Sequence, residues 1–207
     1  MLKKYYRSPG FNRCTILEKE VVDEVIFRTI KPRNRLILEL MARGGMRISE
    51  VLKLEPIDIE DRKLTLRTPK SGKEQEIVFI PQKIADRLKE YITKKGIGSD
   101  QRIFPISYTA GREVVNKAGN VVGIHLRPHD LRRHAATYES RSGVLIEIVS
   151  KVILRHANLS TTQRYLGMMS DVEAMRWIDT VKEWKRGEEF KTSPPTEAKL
   201  RDITFKP

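Results

Sequence analysis

The distribution of apolar residues along the chain alternates between helical and strand periods. Leu17, Val21, Val25 and Ile26 recur at helical spacing and predict a helix over 16–30. A second helix begins after Pro32, carries Leu36, Leu38, Leu40 and Met41, and is ended by Gly44-Gly45. A short helix over 48–54 follows. The period then changes to two. Residues 63–67 alternate, Pro69-Lys70-Ser71-Gly72 predicts a turn, and residues 76–80 form the returning strand, with 57–59 as a third. Helical spacing resumes with Ile84, Leu88, Tyr91 and Ile92, closed by Gly96, and a short helix over 110–118 ends at Gly119. Pro128 suits a helix's first turn and opens one running to Ser142 before Gly143. Val144, Ile148, Val149, Val152 and Ile153 then share one face of a further helix, with two more over 161–166 and 172–185. The fold class expected is mainly α with a small antiparallel sheet. Residues 1–15 read as a basic linker, 16–186 as one domain, and 187–207, with Pro194-Pro195, as a charged mobile tail.

Composition narrows the partners. Among 207 residues, 40 Lys and Arg oppose 27 Asp and Glu, a formal charge of +13. Such an excess favours a polyanion: DNA, RNA or an anionic membrane surface. The single cysteine, Cys14, allows neither an internal disulfide nor a cysteine-based zinc cluster and reads as a bystander. No apolar run approaches the ~20 residues of a membrane helix, and the N-terminus lacks a signal peptide's apolar stretch, so a cytoplasmic protein is expected.

Four groups of residues can carry chemistry. Arg47 follows Gly44-Gly45-Met46 at a corner between helices, Lys70 sits at a hairpin tip, and His129 and Arg132 share a helix face three residues apart. His156 and Tyr165 frame Ala157-Asn158-Leu159-Ser160-Thr161-Thr162-Gln163-Arg164. Taken singly, each has an ordinary structural explanation; together and in this order they suit phosphoryl transfer. Two planar guanidiniums can clamp phosphodiester oxygens, a lysine can protonate a leaving oxygen, histidines can hold or move a proton near neutrality, and a tyrosine can be a covalent nucleophile. A free tyrosine titrates near 10, so it needs a base or a cationic surrounding at pH 7.

In these blocks the chain resembles the catalytic domain of the tyrosine recombinase (phage integrase) family, Xer-type enzymes included. The blocks are Gly45-Met46-Arg47-Ile48-Ser49-Glu50-Val51-Leu52-Lys53-Leu54, Thr68-Pro69-Lys70-Ser71-Gly72-Lys73, His129-Asp130-Leu131-Arg132-Arg133-His134, and the run from Leu154 to Tyr165. Two departures are visible. Arg155 stands where the family commonly has glycine, and the helix between Gly143 and His156 is about one residue longer than usual. Fifteen residues are too few for the N-terminal helical domain these enzymes usually carry, so the resemblance implies a shortened or minimal member.

The resemblance implies a mechanism. Tyr165 attacks the scissile phosphate of duplex DNA, leaving a 3′-phosphotyrosyl link and a free 5′-hydroxyl. Arg47 and Arg132 stabilise the pentacoordinate phosphate, Lys70 (with Lys73 as competitor) is the general acid, His129 holds the proton, and His156 hydrogen-bonds a phosphate oxygen. Glu50 and Asp130 stand behind these groups. The phosphotyrosyl bond conserves the energy of the broken link, so neither ATP nor any other cofactor is expected, and the arginines take the place of a metal. Family members assemble as tetramers on DNA, and a monomer is expected free in solution. Rival readings are a catalytically silent DNA-binding module of this fold, a type IB topoisomerase and a metal-dependent nuclease; the last lacks a carboxylate cluster. After Tyr165, Val172, Met175, Ile178, Val181 and Trp184 form an apolar helical stripe that either packs on its own domain or docks on a neighbouring protomer across a hinge at Gly167-Met168-Met169-Ser170.

Overall fold

A computed structural model describes residues 17–67, 75–156, 158–160 and 162. Cys14, Lys70, Lys73, Tyr165, both terminal segments, the expected helix over 161–166 apart from Thr162, and the apolar stripe after Tyr165 lie outside them.

The described residues form seven α-helices and one three-stranded antiparallel sheet. Helix α1 spans Lys19–Arg28 and α2 spans Pro32–Arg43. The brief α3, Ile48–Val51, leads through a 3-10 turn, Pro56–Asp58, into strands β1 (Ile59–Glu60), β2 (Lys63–Leu66) and β3 (Glu76–Phe79). Helices α4 (Gln82–Lys95), α5 (Tyr108–Val121) and α6 (Pro128–Arg141) follow. The short α7, Ile146–Ile148, continues into a π-helical stretch, Val149–Ile153.

Helix α2 is the centre of the domain. Leu36, Ile37, Leu38, Leu40 and Met41 are all buried, so the helix is apolar around most of its circumference, as expected for a helix enclosed by others. It packs on α1, α4 and α6. Its one buried carboxylate, Glu39, is paired with Arg87 of α4, which offsets the cost of removing the charge from water.

The sheet is covered on one face only. Leu64, Leu66 and Val78 point into the core, while Ile77 and Phe79 alternate outward and are exposed. The register pairs Leu64 with Val78 and Leu66 with Glu76, so the chain leaving β2 and entering β3 emerges beside a buried glutamate.

The structure differs from the sequence-based expectations in four elements. Residues 57–59 do not form a strand together. Pro56 starts a 3-10 turn that Asp58 closes by accepting the Glu55 N–H at 3.0 Å, and pairing begins only at Ile59. Helix α3 is half its expected length, its last residue being Val51. Helix α5 does not stop at Gly119 but runs to Val121. Gly119 is required there by packing: a Cβ would lie 2.5 Å from Leu126 Cβ. Lastly, residues 144–153 do not form one regular amphipathic α-helix. Ile148 and Val152 are exposed, and the helix widens into the π stretch, where the Leu154 N–H donates to the carbonyl of Val149 at 2.9 Å, five residues back.

Candidate active site

Three segments distant in sequence meet beside α2. The first is the corner Gly44-Gly45-Met46-Arg47. Gly45 has φ +60°, and a Cβ on it would meet both the carbonyl oxygen and Cγ2 of Ile153 at 3.0 Å. Only glycine allows the corner both its backbone conformation and its close approach to the π stretch. Arg47 caps the N-terminus of α3. Glu50, in the third position of that helix, accepts the Arg47 backbone N–H through Oε2 at 2.8 Å and the Arg47 guanidinium through Oε1 at 2.6 Å. The carboxylate thus holds both the corner and the direction of the arginine side chain.

The second segment is the start of α6. Pro128 occupies the first turn, and Asp130 accepts the Arg127 N–H at 2.9 Å, so Asp130 serves the start of its own helix. One turn on, Arg132 is only 2 % exposed. Its guanidinium donates to the carbonyls of Gly45 and Leu154. It therefore joins the first segment to the third while sitting inside the domain. His129, at the exposed start of the same face, is held below the usual histidine pKa, first by partial desolvation and then by the Arg132 charge, with Arg133 and Arg47 adding to it against Asp130.

The third segment is the turn from the π stretch into His156. The His156 N–H donates to the Ser150 carbonyl at 2.9 Å, and its Nδ1 lies 2.9 Å from the Thr162 hydroxyl, which lies 2.8 Å from that of Ser150. Thr162 and Ser150 are buried, so this hydroxyl chain fixes the imidazole plane. Burial, reinforced by Arg132, Arg47 and Arg155, pushes the His156 pKa down to about 4. The ring is neutral at pH 7.

The turn that ends at His156 is reached through the π stretch, Val149–Ile153. A π turn inserts one residue into a helix without lengthening it by a full turn. Arg155 adopts φ +53°, the left-handed region that costs a side-chain-bearing residue about 1–2 kcal/mol. The family's glycine suits that conformation, and the arginine here takes it up with its side chain folded inward, 4 % exposed. Its Nη2 donates to Glu50 Oε2 at 2.7 Å and its Nε to Glu76 Oε2 at 3.3 Å.

The charges of Arg47 and Arg132 thus bear on both His129 and His156. Lys70 and Tyr165 lie outside the described residues, although β2 and β3 carry the chain to either side of 68–74 next to this cluster, through Glu76. Residue-type reasoning gave no part to Arg155, Glu76, Ser150 or Thr162. The one signal available for them was Arg155 itself, a long cation at a glycine position. An open cleft of about 580 Å³ adjoins Glu50 and carries Lys53, Arg67 and Arg102 on its walls. Arg67 is engaged there by Asp58 at 2.5 Å and Glu55 at 3.0 Å.

A fold of helices around α2 with one small sheet, bringing two arginines and two histidines together, defines a class: the catalytic-domain fold of tyrosine recombinases. The chain belongs to the phage integrase family, whose model matches residues 16–170. It is 30 % identical over 157 residues to the tyrosine recombinase XerA of Saccharolobus solfataricus, covering 75 % of this chain and 53 % of that protein. It therefore spans about half the length of that relative. The crystal structure of XerA recombinase superposes with a TM-score of 0.69 at 22 % identity, over 88 % of this chain and 68 % of that one. The XerH site-specific recombinase, solved as a post-cleavage complex with a palindromic difH substrate, gives 0.62 at 20 % identity, over 87 % of this chain and 56 % of that one. Among the described residues no helix is long and apolar enough to cross a membrane.

Proposed function

We propose that this chain is the catalytic domain of a site-specific DNA recombinase that cuts and rejoins duplex DNA through a 3′-phosphotyrosyl intermediate on Tyr165. The observation that carries the reading is the meeting of Arg47, His129, Arg132 and His156 from three segments, in the order of the family's blocks. XerH, a relative of the same fold, is solved on its DNA substrate after cleavage, which supports DNA as the partner.

In this reading the electrostatics suit an incoming dianionic transition state. Arg47 presents a guanidinium whose orientation Glu50 holds, and Arg132 adds a buried positive charge beside it. Preorganised donors of this kind, one removed at a time, typically lower a rate by roughly 10²–10³-fold. His156 is neutral with Nδ1 engaged by Thr162, and in the tautomer protonated on Nε2 it donates to a phosphate oxygen without adding a charge. Lys70 protonates the leaving 5′-oxygen, and His129 holds the proton of the attacking hydroxyl. Neither metal nor ATP takes part. The remaining Lys and Arg of a chain at +13 meet the DNA backbone, giving salt-dependent affinity. The protein works in the cytoplasm on DNA, as a monomer when free and a tetramer when assembled on two duplexes.

The test is covalent trapping. The chain is incubated with nicked suicide duplexes drawn from the sequence around its gene, and denaturant-resistant adducts are counted. The parent protein is expected to form an adduct and Tyr165→Phe to form none while still binding DNA. An adduct that survives Tyr165→Phe overturns the assignment of the nucleophile.

A further inference from the structure

The family's blocks account for Arg47, His129, Arg132 and His156 but leave Arg155 without a part. A guanidinium at a position suited to glycine is conspicuous, because its backbone conformation disfavours every residue with a Cβ. It persists only where the surroundings over-determine it. Here the surroundings are two carboxylates from different elements, Glu50 of α3 and Glu76 of β3, and both are buried.

The geometry is uneven in an informative way. Glu50 spends Oε1 on the Arg47 guanidinium and Oε2 on the Arg47 N–H and on Arg155. Glu76 offers Oε2 at the longer 3.3 Å, and its Oε1 is buried with no hydrogen-bond partner among the described residues. The Arg155 guanidinium also donates to the Ile153 carbonyl at 2.9 Å, which fixes it to the π stretch. Two guanidiniums and two carboxylates therefore form one charge-balanced chain from the half-buried Arg47 through the buried Glu50 and Arg155 to Glu76. That chain runs from the first arginine block to β3, and its third member, Arg155, precedes His156.

We infer that Arg155 is a positioning residue: a buried strut that sets Arg47, the base of the hairpin and His156 at fixed distances from one another. The inference rests on the strand-transfer reading above for its effect on rate, though not for its effect on structure. Glu50 must hold Arg47 as an anion, and burial disfavours the charged form of a carboxylate. Burial acts to raise the Glu50 pKa, and Arg155 with Arg47 overcomes this, leaving it below the ordinary value. Among the described residues Arg155 is the cation that meets Glu76, and it offsets the cost of burying that carboxylate in β3.

The experiment separates positioning from bulk stability. Arg155→Gly takes the backbone conformation without strain but leaves Glu50 and Glu76 facing each other across the gap. Adding Glu76→Leu removes the stranded carboxylate and extends the apolar inner face of β3. Three quantities are measured for the parent, Arg155→Gly, Arg155→Lys and the double variant: melting temperature, amide hydrogen exchange, and the single-turnover rate of adduct formation on a suicide duplex. Arg155→Gly is expected to lower the rate on the order of 10²-fold, the usual consequence of misplacing a reacting group by about 1 Å, with the affinity for DNA unchanged. Arg155→Lys, which can reach one carboxylate at a time, is expected to fall between. The double variant is expected to regain melting temperature but not rate. Exchange is expected to quicken together at residues 48–52 and 76–79 in Arg155→Gly. Rate and melting temperature recovering together, or exchange quickening only at 153–156, overturns the inference. A parent protein that forms no adduct refutes the proposed reaction and leaves the exchange result to decide the strut.

Discussion

Arg132 lies inside the domain and donates to the carbonyl of Gly45, a residue 87 positions earlier in the chain. The arginine at the centre of the cluster is thus also the tie between the helix that carries it and the corner that carries Arg47. A close approach of this kind leaves no room for a side chain at the corner, which gives the first expectation.

Gly45→Ala should destabilise the protein and distort the site at once. The new Cβ meets Ile153 at 3.0 Å from two directions, and φ +60° adds roughly 1–2 kcal/mol of backbone strain. A chain of this size loses about 2–4 °C in melting temperature per kcal/mol, so a fall of several degrees is expected by calorimetry. An unchanged melting temperature would show that the corner and the π stretch are not in contact.

Glu50 is the most connected carboxylate at the site, and its two simplest replacements should differ. Glu50→Ala strands the buried Arg155 and releases Arg47, and breaking a buried pair in this way costs about 3–5 kcal/mol. Glu50→Gln keeps an acceptor for the Arg47 N–H and should lose less, about 1–3 kcal/mol. Urea unfolding of the two variants checks the order. Equal losses would mean that the charge of Glu50, rather than its hydrogen bonds, holds the corner.

Stability should fall with pH across a defined window. The folded protein keeps His156 neutral down to about pH 4, whereas an unfolded histidine takes up a proton near 6.5. Between those values the unfolded chain binds more protons, so unfolding becomes easier as pH drops from about 6.5 toward 4. His129 and His134, both lowered first by burial, act in the same direction. Denaturant midpoints at pH 7.5 and 5.5 measure the slope, and His156→Gln should make it shallower. A slope unaffected by that substitution would place the depressed group elsewhere.

Chelation should leave the reaction untouched. If Arg47 and Arg132 supply the positive charge, adduct formation continues in excess EDTA at the same rate. Loss of activity that magnesium restores would favour a metal-dependent nuclease instead.

Much of this architecture was legible in the chain because its strongest signals are periodic. The apolar runs of α2 and α4 and the alternation of β2 and β3 each report a buried face directly. Single residues whose role depends on distant partners were less legible. Pro56 and Asp58 turned an apparent strand into a 3-10 turn, and Gly119 looked like a helix stop although Leu126, packed against it, is what demands the glycine. Ile103 and Phe104, buried between α4 and α5, follow no period. They are recruited by Leu54, whose carbonyl accepts the Ile103 N–H at 2.9 Å, and by Tyr91, which stacks on Phe104. At the site, Arg47, Arg132 and His156 stood out by residue type and order. Arg155 stood out only as a departure from glycine, because its contacts are with two glutamates 105 and 79 residues away.

The widened turn at Val149–Ile153 also bears on the direction taken by the residues after it. A surplus residue inside an ordinary helix would rotate everything after it by about 100° and carry His156 away from Arg132. Looped out at one place, the surplus is invisible to both neighbours: Leu154 still meets Arg132, and Gly45 still meets Ile153. The π stretch thus sets the angle at which His156 leaves the helix, as a keyway sets a shaft.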